Sequence, residues 1–425
     1  MVHNRVNQSA RGGASWRDWI DPRRIGWLRL LLPAVPLTLV LWFLRAPAVW
    51  QFAFSGLAII PLAGLMGEAT EKLAHRLGPG IGGLLNATFG NAAELIIALF
   101  ALFNGLDNVV KASITGSIIG NLLLVLGASL LAGGLKFRVQ RFNRTAAGVG
   151  GTLTVLAGTG MMVPAIFHRL VTSQAALAAG SQRIDQVEHR LSVAVCVILV
   201  LTYGLNLIFS LVTHRDLYNP ASEQESRKAR AGAQHEGLAA VSRPVAALLG
   251  ATLAVALMSE VLVGAVRETS QALGLTEVFM GVIVVAIVGN AAEHSTAILM
   301  AMKNQMDLAV GIAMGSALQI ALFVAPVLVF ASYFRAQPMD LLFTTLEIVA
   351  VILAVIIARM VSEDGESNWL EGAMLLMIYA ILGLAFYFLP ETPKPHAPKV
   401  RPVSATADGC HLAVRLVAET CSSSR

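Results

Sequence analysis

The sequence predicts an all-α polytopic membrane protein of about 11 transmembrane helices, built as an inverted 5+5 repeat with one extra N-terminal helix. Three observations predict this class. First, only 13% of the 425 residues are charged and 56% are hydrophobic, whereas ordinary soluble domains carry about 25% charged residues. Mean hydropathy is +0.69. Second, apolar runs of about 20 residues, the length that crosses a bilayer as helix, recur along the chain. Alternating barrel strands are not visible, so helices are the remaining spanning structure. Third, Gly90-Asn91-Ala92-Ala93-Glu94 returns as Gly289-Asn290-Ala291-Ala292-Glu293. The offset, 293 − 94 = 199, recurs at a Gly-Ser pair, where 316 − 117 = 199.

The expected spans lie near 27–44, 48–67, 81–103, 109–132, 145–167, 190–213, 239–264, 276–302, 307–333, 341–361 and 368–389. Residues 1–26 form a basic N-terminal tail and 27–44 the extra helix. The first five-helix repeat covers 48–213, a polar connector 214–238, and the second repeat 239–389. The C-terminal tail 390–425 opens with four prolines (Pro390, Pro393, Pro395, Pro398) and has little periodicity. The first apolar run is long and follows a basic segment, so no cleavable signal peptide is expected.

Basic residues set the orientation. With the N-terminus cytoplasmic, eighteen Lys and Arg face inward, among them Arg23, Lys72, Lys136, Arg144, Arg215, Lys303 and Arg359. Seven face outward: Arg45, Lys111, Arg169, Arg183, Arg190, Arg267 and Arg335. This is a positive-inside bias. The net charge of +5 therefore reads as membrane topology; no aromatic-interleaved basic motif points to nucleic acid. Five crossings separate the two glutamate motifs, so their helices run in opposite directions. Cys196, Cys410 and Cys421 lack metal-ligand spacing, and Cys196 reads as a packing residue.

A glutamate inside a membrane segment is costly and usually functional. Hard cations such as Ca²⁺ take several oxygen ligands, carboxylates among them. Two carboxylates meeting at the bilayer midplane suit one such ion. They also take protons, and two close acids repel when both are ionised. One site can thus exchange a cation for protons; helix packing by buried glutamates is the bland alternative. Gly90 and Gly289 sit one turn before the acids, where glycine permits close approach and weakens the helix. Asn91 and Asn290 lie three residues before them, on the same face; Asn86 stands one turn earlier. A second strip sets Ser117 and Asn121 against Ser316 and Gln319, each pair on one helix face. His294 has no twin, since Leu95 fills its place, and can hydrogen-bond a carboxylate. Glu71 and Glu260 lie toward helix ends and suit cation access or proton relay, with a solvated charge as the alternative. Asp107 and Asp307 read as surface loop residues. No nucleotide loop, His-Glu-x-x-His or nucleophile elbow is present, so uphill transport has to draw on an ion gradient.

The stretch from Leu85 to Ile96 resembles the first α-repeat of the Ca²⁺/H⁺ antiporter (CAX) family of the cation/Ca²⁺ exchanger superfamily. Gly289-Asn290-Ala291-Ala292-Glu293-His294 resembles its second, and Lys303 to Asp307 and Gly315 to Val324 continue the match. The resemblance implies alternating access, with Ca²⁺ moving against H⁺ as transported substrates and no cofactor. It implies that Glu94 and Glu293 are the shared ligands, with Asn91, Asn290, Ser117, Ser316 and Gln319 lining the site. Glu71, Glu260 and His294 then support access or proton coupling. Residues 221–237 lack the acidic stretch many members carry between the halves, and the long N-terminal extension of plant members is absent. Both departures suggest a bacterial inner membrane; in a eukaryote the expected site is a vacuolar membrane. A Na⁺/Ca²⁺ or Na⁺(K⁺)/H⁺ exchanger of the same superfamily is the alternative within transport, and an ion channel, a scaffold or an intramembrane hydrolase the alternatives outside it.

Overall fold

The computed structural model describes residues 27–77, 79–175, 181–214 and 239–390. Its main helices are α1 (Ala34–Phe43), α2 (Ala48–Leu77), α3 (Gly82–Phe103), α4 (Asp107–Gly134), α5 (Arg144–Ala175), α6 (Gln186–Thr213), α7 (Ala239–Leu273), α8 (Glu277–Met302), α9 (Met306–Ser332), α10 (Thr345–Val361) and α11 (Trp369–Tyr387). Nine of these are long and apolar enough to cross a bilayer; α1 and α10 are shorter. The expected span 27–44 is split. Trp27–Leu31 is a 3₁₀ turn, and a ten-residue helix starts after Pro33. Ten residues reach about 15 Å, half of an approximately 30 Å hydrocarbon core. The tail 1–26, connector residues 215–238, and tail residues 391–425 with Cys410 and Cys421 lie outside the described residues. Cys196 is fully buried, with a free thiol.

The repeat is visible in backbone detail. The turn from α3 to α4 places Gly105 at φ +72°, and the turn from α8 to α9 places Asn304 at φ +60°; the offset is again 199 (304 − 105). Gly105 N–H donates to Leu102 O and Leu106 N–H to Ala101 O, as Asn304 N–H donates to Ala301 O and Gln305 N–H to Met300 O. Each is a helix end closed by a residue in the left-handed region. Glycine and asparagine are the residue types that enter it at least cost. The long helices α2 and α7 pack on each other, as do α5 and α10. α4 lies against α11 as α9 lies against α6. Leucines on the outer faces, such as Leu205 and Leu253 at 67% and 71% exposure, form an apolar surface suited to lipid.

Helix starts at Asn143, Thr276, Thr344 and Asn368 carry side-chain caps, whereas α1, α4 and α9 begin without one. The Asn368 side chain accepts from Leu370 N–H (3.0 Å) and Glu371 N–H (3.2 Å), and Glu371 accepts from Asn368 N–H (3.2 Å). This reciprocal pair satisfies N–H groups that a helix cannot pair internally. Asn368→Ala is expected to lower stability by about 1 kcal/mol, read as a lower thermal unfolding midpoint in detergent with transport retained.

Candidate cation site

The first glutamate motif interrupts its helix. One half ends at Phe89 and the next begins at Ala92, with Asn91 at its N-cap and Glu94 in its first turn. The Glu94 carboxylate thus sits at the N-terminus of a half-helix, where N–H groups lack helical partners and the helix dipole is positive. Beside the break, Ala87 O accepts the Tyr203 hydroxyl of α6 at 2.9 Å. A broken helix inside a membrane needs such partners for its freed carbonyls. The second motif is continuous: Ala286–Met302 runs helical through Gly289 and Asn290, and the irregularity comes earlier, as a π turn at Met280–Val285. Glycine therefore breaks one helix of the pair. In the other it permits close approach, because a Cβ on Gly289 would stand 3.2 Å from Glu94 Cγ.

α4 and α9 supply the rest of the site. Each carries a π segment beside its amide: Gly120–Val125 contains Asn121, and Ile320–Val324 follows Gln319. Such bulges re-aim side chains and are frequent at functional sites. Asn121 Nδ2 donates to Asn290 Oδ1 (3.0 Å) and to Ser316 Oγ (2.9 Å). Asn290 Nδ2 donates to Ser117 Oγ (2.9 Å) and to Ala286 O (2.9 Å). Ser316 Oγ donates to Asn91 Oδ1 (2.8 Å), and Asn91 Nδ2 donates to Gln319 Oε1. One hydrogen-bonded chain thus joins α3, α4, α8 and α9 across both repeats. Asn121 and Asn290 are 0% and 1% exposed, so their pairing is obligatory. Asn290→Ala leaves Asn121 Nδ2 with Ser316 Oγ alone and removes the donor to Ser117 Oγ, and it is expected to cost about 1–3 kcal/mol. Asn86→Ala should leave the unfolding midpoint unchanged, since Asn86 is exposed.

Glu94 is buried and Glu293 half-buried, and the two lie within electrostatic reach of each other. Glu293 also lies beside Ser316. In both glutamates Oε2 is sealed from solvent and has no hydrogen-bond partner. His294 Nε2 and Asn121 Oδ1 are sealed and unpartnered in the same way. Two carboxylates with idle buried oxygens, surrounded by amide and hydroxyl oxygens, form a donor set suited to a hard cation. No group of three or more His, Cys, Asp or Glu converges among the described residues, so neutral oxygens have to complete any shell.

Of the residues singled out from sequence, Glu94, Glu293, Asn91, Asn290, Ser117, Ser316, Asn121, Gln319, Gly90 and Gly289 come together here; His294 follows Glu293 on α8, with Nε2 sealed and unpartnered. Glu71 and Glu260 are exposed on α2 and α7 and are not part of this centre. Asp107 and Asp307 are not idle loop charges. Asp107 pairs with Arg335 at 2.5 and 3.3 Å, and Asp307 accepts Asn143 N–H at 2.5 Å. Glu347 was not singled out: it is 3% exposed on α10 and accepts from Thr344 and, at 3.5 Å, from Thr115 of α4. Its capping-box spacing is legible in the sequence; its depth is not.

The two sides of the centre differ. On α4, Val109 and Ala112 are 2% and 0% exposed, and Gly116 is buried. A Cβ on Gly116 would fall 2.0 Å from Val282 O of α8. The repeat twins on α9 are open: Leu308 is 52% exposed, Gly311 is exposed, and a Cβ on Gly315 would meet nothing within 4 Å. The site is therefore sealed by backbone packing where α4 begins and looser where α9 begins.

A family model described as sodium/calcium exchanger protein matches the chain in two stretches, residues 47–212 and 243–388, the same two halves. The chain belongs to that family. A relative in Aphanothece halophytica, named a Ca²⁺/H⁺ antiporter, is 46% identical over 375 residues, covering 86% of this chain and 97% of the relative. In Bacillus subtilis the Ca²⁺/H⁺ antiporter ChaA is 45% identical over 361 residues, covering 85% and 98%. Among solved structures, YfkE superposes with a TM-score of 0.70 at 41% identity, over 85% of this chain and all of that one. The H⁺/Ca²⁺ exchanger CAX shares the fold, with a TM-score of 0.62 at 13% identity over 85% of this chain and 91% of that one.

Proposed function

We propose that the chain is a secondary active antiporter that exchanges Ca²⁺ for H⁺, with Glu94 and Glu293 as the ligands both ions share. The observation that carries this reading is the pair of neighbouring carboxylates whose buried Oε2 atoms have no partner. A buried anion pair has to be neutralised. Ca²⁺ does so with one ion and protons do so separately, so each glutamate gives up a proton for a share of the ion. The amides and hydroxyls of Asn91, Asn290, Ser117, Ser316 and Gln319 hold the two carboxylates in register and offer neutral oxygens. His294 beside Glu293 tunes proton transfer, and Glu71 and Glu260 attract cations from either side. The names of the relatives support this ion pair for the chain.

The bias of basic residues supports a cytoplasmic N-terminus in a bacterial inner membrane. In that orientation the loose side of the site faces the cytosol, where Ca²⁺ is collected for export. The halves 48–213 and 239–389 are the two repeats whose inverted packing alternates the opening. The test is uptake of radiolabelled Ca²⁺ by proteoliposomes under an imposed pH difference, with Na⁺ and K⁺ as competitors. Uptake that follows the pH difference and ignores both competitors is expected. Uptake that requires Na⁺ and ignores the pH difference would replace this reading with a sodium-coupled one.

A further inference from the structure

We propose that a groove on the N-terminal half of α5, flanked by α10, binds the headgroup of an anionic phospholipid. The groove has a volume of about 690 Å³ and is lined by Arg144, Thr145, Gly148, Val149, Thr152 and Leu153. Thr145, Gly148 and Thr152 are exposed at i, i+3 and i+7, one face of α5. Gly148 opens the floor of that face. From α10, Arg359 reaches across and donates to Thr152 Oγ1 at 3.1 Å, so a second guanidinium sits at the groove wall.

Neither arginine has a carboxylate partner among the described residues. At the same end of the molecule Arg141 pairs with Glu366 at 3.0 Å, and Asp364 accepts Glu366 N–H. The acidic loop with Glu363 and Asp364 packs beside Arg144, where a Cβ on Gly365 would stand 3.0 Å from Arg144 Cβ. Neither of those carboxylates forms an ion pair with Arg144 or Arg359 among the described residues, so both guanidinium groups can still take an external anion at the level where helix ends meet lipid headgroups. Beside them, half-buried Val149 and Leu153 offer apolar walls that suit an acyl chain. A phosphodiester headgroup satisfies both guanidinium groups, and its chains follow the helix into the bilayer. The cytoplasmic leaflet is the anionic one, so the assignment rests on the proposed orientation; lipid binding itself is read without transport.

The experiment is native mass spectrometry of the purified chain with equal amounts of phosphatidylglycerol and phosphatidylcholine. Phosphatidylglycerol should be retained preferentially. Arg144→Gln and Arg359→Gln should each weaken it roughly fivefold, and the double variant roughly thirtyfold. Gly148→Leu keeps both charges and fills the groove; a Cβ there meets nothing within 4 Å, so the fold tolerates it. It should also lose the lipid, and an unchanged thermal midpoint confirms that each variant is folded. Equal retention of both lipids, or retention of phosphatidylglycerol by the double variant or by Gly148→Leu, would overturn the proposal. So would full displacement by inorganic phosphate, which would mark a site for a free anion.

Discussion

Glu94→Gln and Glu293→Gln are each expected to abolish proton-driven Ca²⁺ uptake in inside-out vesicles while the protein stays folded. Glutamine keeps the shape of the side chain and one oxygen, but it holds no net charge and does not exchange a proton. Each variant removes one of the two ligand charges, and Ca²⁺ affinity is tuned over orders of magnitude by ligand charge, so roughly a hundredfold weaker binding or more is expected. Either variant should keep its thermal midpoint, because Oε2 of each glutamate makes no hydrogen bond within the protein. Normal uptake by either one would remove the mechanism.

Gly116→Ala and Gly315→Leu, at twin positions of the two repeats, should fail in opposite ways. A Cβ on Gly116 would press into the Val282 carbonyl at 2.0 Å. Backbone on that side has little room to yield, so the cost is expected at the upper end of the roughly 1–3 kcal/mol typical of overpacking. Gly315 faces open space, so Gly315→Leu should unfold at the wild-type temperature. If the repeats exchange conformations during transport, the α9 face with Leu308, Gly311 and Gly315 has to take the close packing that Val109, Ala112 and Gly116 now make. Gly315→Leu then binds Ca²⁺ and stalls. A stable Gly315→Leu with normal uptake would show that this face never closes.

The fold was legible because hydropathy and the 199-residue offset act over whole helices. All eleven expected segments carry a helix at nearly the expected place. Their ends were less legible: α2, α5 and α7 run on past the expected boundaries to Leu77, Ala175 and Leu273, because helix continues beyond the apolar stretch. The extra segment failed as a single helix because proline at 33 resets the start. The centre was legible as chemistry, since deep polar residues are costly and therefore conspicuous. Its geometry was not. Nothing in two near-identical motifs says that one breaks its helix and the other continues. The π segments beside Asn121 and Gln319 also leave no local signal. The partners of Asp107 and Asp307, and Thr115 beside Glu347, come from segments more than 150 residues away, beyond the reach of periodicity.

Proton release on Ca²⁺ binding tests the central claim most directly. Ca²⁺ is added to weakly buffered purified protein near neutral pH, and liberated protons are followed alongside bound Ca²⁺. Wild type should release protons in proportion to bound Ca²⁺, and the Glu94→Gln, Glu293→Gln double variant should bind little and release none. Ca²⁺ bound with no proton release, or equal release by the double variant, would contradict a site in which both ions compete for the same two carboxylates.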